Sequence, residues 1–300
     1  MKTLPALCLT LSLYACGEAE APTMYSQNPS PMIDHTRPHH RIPLDAVPDA
    51  GDTIHFSEKV QCKLYVPEKW ANEPRLDLLV HFHGDGRVAR QAIDRQPAPW
   101  VLVHCHWGNG SAAYSQPLDE VGAGAFLQAA RAAVREKLPG AAISRVYLSV
   151  WSAGYGAVRS IIGREEAARQ VEGILLLDGL HCSYVPEGTP LAAGGALDST
   201  QMQPFTRWAE WAARGEKSLL LTHSSVFPGT YASTTETAEY LLRTLGIPRQ
   251  SLLAEGPVGM QQTSIAEKGK LRIISFAGNS APDHVDHLHG LPEFLGWLGQ

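Results

Sequence analysis

The chain has 300 residues, a length that suits one α/β domain of ordinary size or two small ones. Hydrophobic residues at 44% and charged residues at 18% describe a globular chain with enough apolar matter for a large core. The net charge of −5 leaves no basic surplus, which argues against nucleic acid as a partner.

The N-terminus reads as an export signal. Lys2 gives a positive start, and residues 4–15 form an apolar stretch too short to span a bilayer as a stable helix. Leu13-Tyr14-Ala15-Cys16-Gly17 follows and resembles a bacterial lipobox, with Leu at −3, Ala at −1 and Cys16 as the residue that receives lipid. A plain secretory signal cleaved near Ala15 is the alternative; under both readings the mature chain is exported. Gly17 is not Asp, so the resemblance implies no inner-membrane retention. It implies a bacterial lipoprotein at the outer membrane or periplasmic face, its membrane contact made by the anchor. Residues 17–50 are polar and Pro-rich without apolar periodicity, and read as a tether ahead of a domain over 51–300. His35, His39 and His40 lie in it and read as solvated histidines rather than a metal site.

Along the domain, residues 53–66 alternate apolar and polar positions, which predicts a half-exposed strand or hairpin ended by Pro67. Residues 76–82 are a buried strand broken by His83-Gly84-Asp85-Gly86, and 100–106 are the next, ended by Trp107-Gly108. Helical spacing covers 120–138 and stops at Pro139-Gly140. Residues 145–151 are a third strand, which meets Ser152 among the small residues Ala153, Gly154, Gly156 and Ala157 before a helix running to about 169. Residues 171–178 are a fourth strand, and 182–203 a long irregular segment rich in Gly and Pro. A helix over 204–214 carries Phe205, Trp208, Trp211 and Ala212 on one side, and 219–223 are a strand. Ser233 and Glu236 resemble a capping box that opens a helix ending at Gly246. Residues 251–265 read as a short irregular or strand-paired insert, 271–276 as the last strand and 292–298 as a closing helix. This alternation predicts an α/β fold, a mostly parallel central sheet with helices on both faces.

Ligands of such a sheet sit at the carboxyl ends of its strands. Those ends read His81-Phe82-His83-Gly84-Asp85-Gly86, His104-Cys105-His106, Ser152, Asp178, Thr222-His223-Ser224 and Asp283-His284-Val285-Asp286-His287. A strand turning sharply into a helix at a serine lifts the hydroxyl above the sheet, and small neighbours let strand and helix approach. The stretch from 145 to 157 resembles the nucleophile elbow of the α/β-hydrolase family, G-x-S-x-G, with Gly154 in place and Val150 at the first glycine position.

The resemblance implies a serine hydrolase acting without a cofactor on an ester or related acyl bond of a small molecule or polymer. In the family's chain order, Ser152 is the nucleophile, Asp178 the acid and a histidine of the last cluster the base. His287 is preferred because the family histidine often sits where the final helix begins; His284 is the alternative, and His289 is expected at the surface. Asp178 comes one strand earlier than is usual in the family, but the later strand ends in Thr222-His223-Ser224 and offers no carboxylate. The structural alternative is that Asp178 caps the loop beginning at Gly179. His83-Gly84-Asp85-Gly86 resembles the family's HGGG-type oxyanion segment, which implies backbone N–H donors at Gly84 or Asp85 together with Ala153. Trp107, Tyr155, Tyr184, Trp208 and Trp211 are candidates for an acyl pocket, although tryptophans at helical spacing more often belong to the core. Cys62 and Cys105 fall on strands that the family arrangement makes neighbours; a disulfide between them, and three buried thiols with Cys182, both stay open.

Two other readings compete. His81-Phe82-His83-Gly84-Asp85 partly matches the His-x-His-x-Asp of metallo-β-lactamase-like hydrolases, with His104 and His106 next door, but Gly86 stands where that pattern continues with His. A non-catalytic binding protein on a hydrolase fold is the third reading, kept open by Val150.

Overall fold

Apolar β-branched runs at the predicted positions become the strands of a ten-stranded sheet in the computed structural model, which describes residues 47, 50–58 and 60–298. Cys16, His35, His39, His40 and nearly all of the tether lie outside the described residues. The strands stand in the order β1 (Asp52–His55), β2 (Gln61–Tyr65), β4 (Trp100–Cys105), β3 (Arg75–Phe82), β5 (Ala142–Trp151), β6 (Gly173–Leu177), β9 (Ser218–His223), β12 (Leu271–Phe276), β11 (Gln261–Lys268) and β10 (Gln250–Glu255). Pairing is parallel from β4 through β12 and antiparallel at both edges. A separate small hairpin pairs β7 (Tyr184–Val185) with β8 (Ala196–Leu197).

Strand periodicity divides the core in two. Leu78, Val80 and Phe82 of β3, with Val146, Leu148 and Val150 of β5, face one side. There they meet α2 (Ala112–Val121), α3 (Ala123–Lys137), α4 (Tyr155–Gly163), α5 (Glu165–Arg169), α6 (Ser199–Ala213) and α7 (Thr234–Leu245). Leu79, Tyr147 and Trp151 face the other side, under α1 (Gly86–Arg95), α8 (Ala281–His289) and α9 (Leu291–Leu298). Each fully buried Leu or Val contributes roughly 1.5–3 kcal/mol, and near-continuous apolar strands are what burial on both faces demands. The result is an α/β fold, a mostly parallel central sheet covered by helices on both faces.

Several elements differ from the sequence reading. The single helix over 120–138 is two, because Gly122 at φ 86° leaves the helical region between α2 and α3. Helix α6 starts ahead of Pro204, where the Asp198 carboxylate accepts from the N–H groups of Thr200 and Gln201 and caps it. The irregular 182–203 segment holds the β7–β8 hairpin, and the 251–265 insert forms β10 and β11, which extend the sheet. Helix α8 opens with a reciprocal Ser280–Asp283 capping box and presents His284, His287 and His289 inward; His289 is buried rather than at the surface. Cys62 and Cys105 are joined, tying β2 to β4, and Cys182 is a buried free thiol.

Candidate active site

Three non-glycine residues with positive φ mark the rim where β3, β5 and β6 end: His83 at 72°, Ser152 at 50° and Asp178 at 43°. Such conformations cost on the order of 1–3 kcal/mol each and persist only where the surroundings impose them. The close approach of three backbones does so here. A side chain at Gly154 would place its Cβ 2.5 Å from the Phe82 carbonyl oxygen, so the elbow rests directly on the end of β3. One at Gly179 would lie 2.7 Å from the Ser152 nitrogen, so the turn after β6 rests on the elbow from the other side. The chain therefore brings the His83–Gly84–Asp85 segment, Ser152–Ala153 and Asp178 to one point. Ala153 stands in the turn that opens α4, where helix N–H groups favour negative charge.

Asp178 is fully buried and saturated with donors. The Ser224 N–H (2.9 Å) and the Thr234 hydroxyl donate to Oδ1; the Ser224 hydroxyl (2.6 Å) and His284 Nδ1 (2.8 Å) donate to Oδ2. Burial by itself would raise its pKa, but the neighbouring His287 and His284 imidazoles and the Ser224 hydrogen bond hold it well below the usual carboxylate range. An ionised carboxylate only accepts, so His284 carries a proton on Nδ1. Its Nε2 is buried and has no hydrogen-bond partner. The His284 ring lies against Trp151, the residue before Ser152, at 4.7 Å between centroids.

His287, the preferred histidine of the sequence reading, does not bond Asp178. Its Nδ1 meets the Thr222 hydroxyl at 2.8 Å, and burial lowers its pKa to about 4. The helix explains the exchange: three residues along α8 carry the side chain past Asp178 to the neighbouring strand β9.

The glycines of the proposed oxyanion segment are accounted for by packing. Gly84 has φ 89°, and a Cβ there would sit 2.8 Å from Leu288 of α8. Asp85 is the N-cap of α1: its carboxylate accepts from the Arg87 N–H at 2.8 Å and pairs with the Arg87 guanidinium at 2.7 Å. The residues of the metal reading are partly engaged with protein groups, while His81 Nε2 and His104 Nε2 are buried without a hydrogen-bond partner. His81 Nδ1 meets the Ser149 hydroxyl at 2.6 Å, and its ring stacks on His104. His83 Nδ1 meets the Tyr114 hydroxyl at 2.7 Å, and its ring lies between His106 and Trp151. Among the described residues no group of three or more His, Cys, Asp or Glu side chains is placed to hold a metal ion.

A cavity of about 450 Å³ opens at Ser152, lined also by Ala153, Tyr155, His181, Cys182 and Tyr231. Of the aromatic residues offered for an acyl pocket, Tyr155 lines this cavity, while Tyr184 and Trp208 are core and Trp107 packs on Phe82 and Phe126. Sequence reasoning missed Ser224 and Thr234, which hold Asp178, as well as Trp151 and His181. The signal was present for two of them: Ser224 follows the strand that lacks a carboxylate, and Trp151 adjoins Ser152.

No protein-family model matches the chain, and no curated protein matches it. Solved structures do. One of two fungal esterases from Rhizomucor miehei is 13% identical with a TM-score of 0.46, covering 84% of this chain and 84% of that one. Esterase 2 of Thermogutta terrifontis, a Planctomycetes species, in its butyrate-bound form is 12% identical with a TM-score of 0.48, covering 83% and 93%. An S-formylglutathione hydrolase from Agrobacterium tumefaciens is 12% identical with a TM-score of 0.45, covering 82% and 92%. At such identities the activities named belong to those proteins.

Proposed function

We propose that the protein is an exported serine hydrolase that cleaves an ester or related acyl bond. Ser152 Oγ attacks the acyl carbon and passes its proton to His284 Nε2. The oxygen that becomes negative is held by the Ala153 N–H together with that of Gly84 or Asp85. The imidazolium returns the proton to the departing alcohol, leaving an acyl-Ser152. Water then repeats the sequence, giving its proton to His284 and releasing the acid. Asp178 keeps the Nδ1–H tautomer and offsets the imidazolium charge. One observation carries this reading: His284 is bonded to a buried, donor-saturated carboxylate through Nδ1 while its Nε2 is bare, beside a strained serine elbow. The binding-protein alternative leaves both features without a purpose, and in the metal alternative the one carboxylate ligand, Asp85, is committed to Arg87.

The test is labelling with a fluorophosphonate probe beside turnover of p-nitrophenyl esters. The wild type is labelled and Ser152→Ala is neither labelled nor active, with an unchanged thermal melt. Undiminished turnover by Ser152→Ala would remove the serine mechanism.

Export is supported by the Cys62–Cys105 disulfide, which suits an oxidising compartment. The lipid anchor at Cys16 rests on the lipobox alone. The exported protein is expected to partition into Triton X-114, and Cys16→Ser to release it or block maturation; a wild type found wholly in the aqueous phase sinks the anchor.

A further inference from the structure

Four aromatic rings form a continuous stack that ends on the histidine assigned as base. His106, exposed after β4, lies 5.2 Å from His83 with planes 13° apart. His83 lies 5.1 Å from Trp151 at 11°, and Trp151 lies 4.7 Å from His284 at 27°. Trp151 is locked in this role from two directions. Its indole N–H donates to the His284 backbone carbonyl at 3.0 Å, and its ring is the surface on which Gly84 rests, 3.3 Å from the position a Cβ would take. The nucleophile's own neighbour thus holds both the ring plane of His284 and the helix that carries it.

We propose that Trp151 is a positioning residue for the acyl transfer: its indole face carries the His284 imidazolium that forms as Ser152 gives up its proton. This rests on the serine-hydrolase reading above. The tryptophan face is the strongest aromatic partner for a cation within about 6 Å, and the attraction grows when water is excluded. Here the imidazole is 1% exposed, so solvent does not compete. The attraction exists only once the ring is charged. It therefore favours the transition state over the resting enzyme, which is what accelerates a step.

The other groups that face His284 leave this work to Trp151 and Asp178. His83 at the end of β3, His181 in the loop after β6 and His287 on α8 all oppose a charge on His284 only if protonated themselves. Burial keeps all three neutral near pH 7, at about 3, about 4 and about 4. Asp178 acts along the Nδ1 edge of the ring, and Trp151 acts on its face.

The experiment compares wild type, Trp151→Phe and Trp151→Leu. It measures the pH profile of kcat/KM, and separately the titration of the His284 Cε1–H by NMR, which needs no turnover. In Trp151→Leu the midpoint of the acidic limb and the NMR titration are expected to move together to lower pH by about 0.5–1 unit, with the plateau down about three- to tenfold. Trp151→Phe, which keeps a weaker face, falls between. A second measurement covers the case in which Trp151→Leu does not fold. Fluorinated tryptophans, incorporated at all seven Trp positions, keep the ring shape while draining its face. The midpoint then moves down stepwise with fluorine number in the wild type and not in Trp151→Phe. A midpoint that stays put or rises while only the thermal melt changes overturns the proposal, leaving Trp151 a packing residue. If the wild type is not labelled by fluorophosphonate yet the NMR midpoint moves as described, the stack stands and the hydrolase reading falls.

Discussion

Asp178 accepts from Ser224, Thr234 and His284, contacts that reach well beyond the loop at Gly179. A carboxamide at that position keeps the shape but offers a donor where an acceptor is needed, and so turns the imidazole to its other tautomer. Asp178→Asn is expected to fold and to lose about 10⁴ in kcat, the scale of the same change in a trypsin-like protease. His284→Ala should lose at least as much, since in the proposed mechanism nothing else accepts the Ser152 proton. His287→Ala removes a buried hydrogen bond, about 1 kcal/mol of stability, and should leave kcat within about tenfold of wild type. Steady-state kinetics of the three variants decides between the histidines. Equal losses for His284→Ala and His287→Ala would mean that α8 as a whole, not one ring, was disturbed.

At the scale of elements, the site depends on strand ends being held at fixed heights. The Cys62–Cys105 bridge fixes β2 against β4, two strands whose residues Lys63 and Leu64 already pair with His104 and Val103. Strand β4 leads into His106, the outer ring of the stack on His83. The bridge spans 43 residues of chain, so breaking it releases a long loop in the unfolded state. Replacing both cysteines by serine is expected to cost about 2–4 kcal/mol, read as a lower urea midpoint with a steeper slope as the unfolded chain expands. No change in midpoint would show that β2–β4 pairing already supplies that order. The elements that escaped the sequence reading escaped for physical reasons. Helix α8 holds Pro282, Asp283, Asp286 and three histidines, a composition that reads as a polar loop until its capping box and its buried face are seen. The break at Gly122 is a backbone event inside a run of helix formers, invisible to side-chain periodicity.

Taken whole, the molecule buries an unusual number of neutral imidazoles. Burial lowers His83 to about 3 and His104, His181, His223 and His287 to about 4, and places His81 well below its ordinary value. In the unfolded chain each returns to about 6.5. Between those values the unfolded state binds more protons, so stability rises with pH there. Their contribution is complete above about pH 6.5 and is lost as pH falls toward about 4. Each such histidine accounts for on the order of 1–2 kcal/mol by pH 5, and together they are comparable with the whole stability of a domain. The urea midpoint should therefore fall steeply between pH 7 and pH 5. A flat profile across that window would mean that these rings are already charged, or open to water, in the folded protein.

Legible in the chain alone are the alternation of strands and helices, the elbow at Ser152 and the order of Ser152, Asp178 and the histidine cluster. All of these are written in local periodicity, turn residues and order along the chain. That His284 rather than His287 meets Asp178 follows from the packing of α8, because three residues of helix swing a side chain from one strand's end to the next. The same packing sets Ser224, just after the carboxylate-free β9, to hold Asp178, just after β6, and lays Trp151 against the ring of His284. Those contacts join residues 46, 106 and 133 positions apart. No local pattern encodes such distances; they are set by the order in which parallel strands stack and by the angle at which α8 crosses their ends.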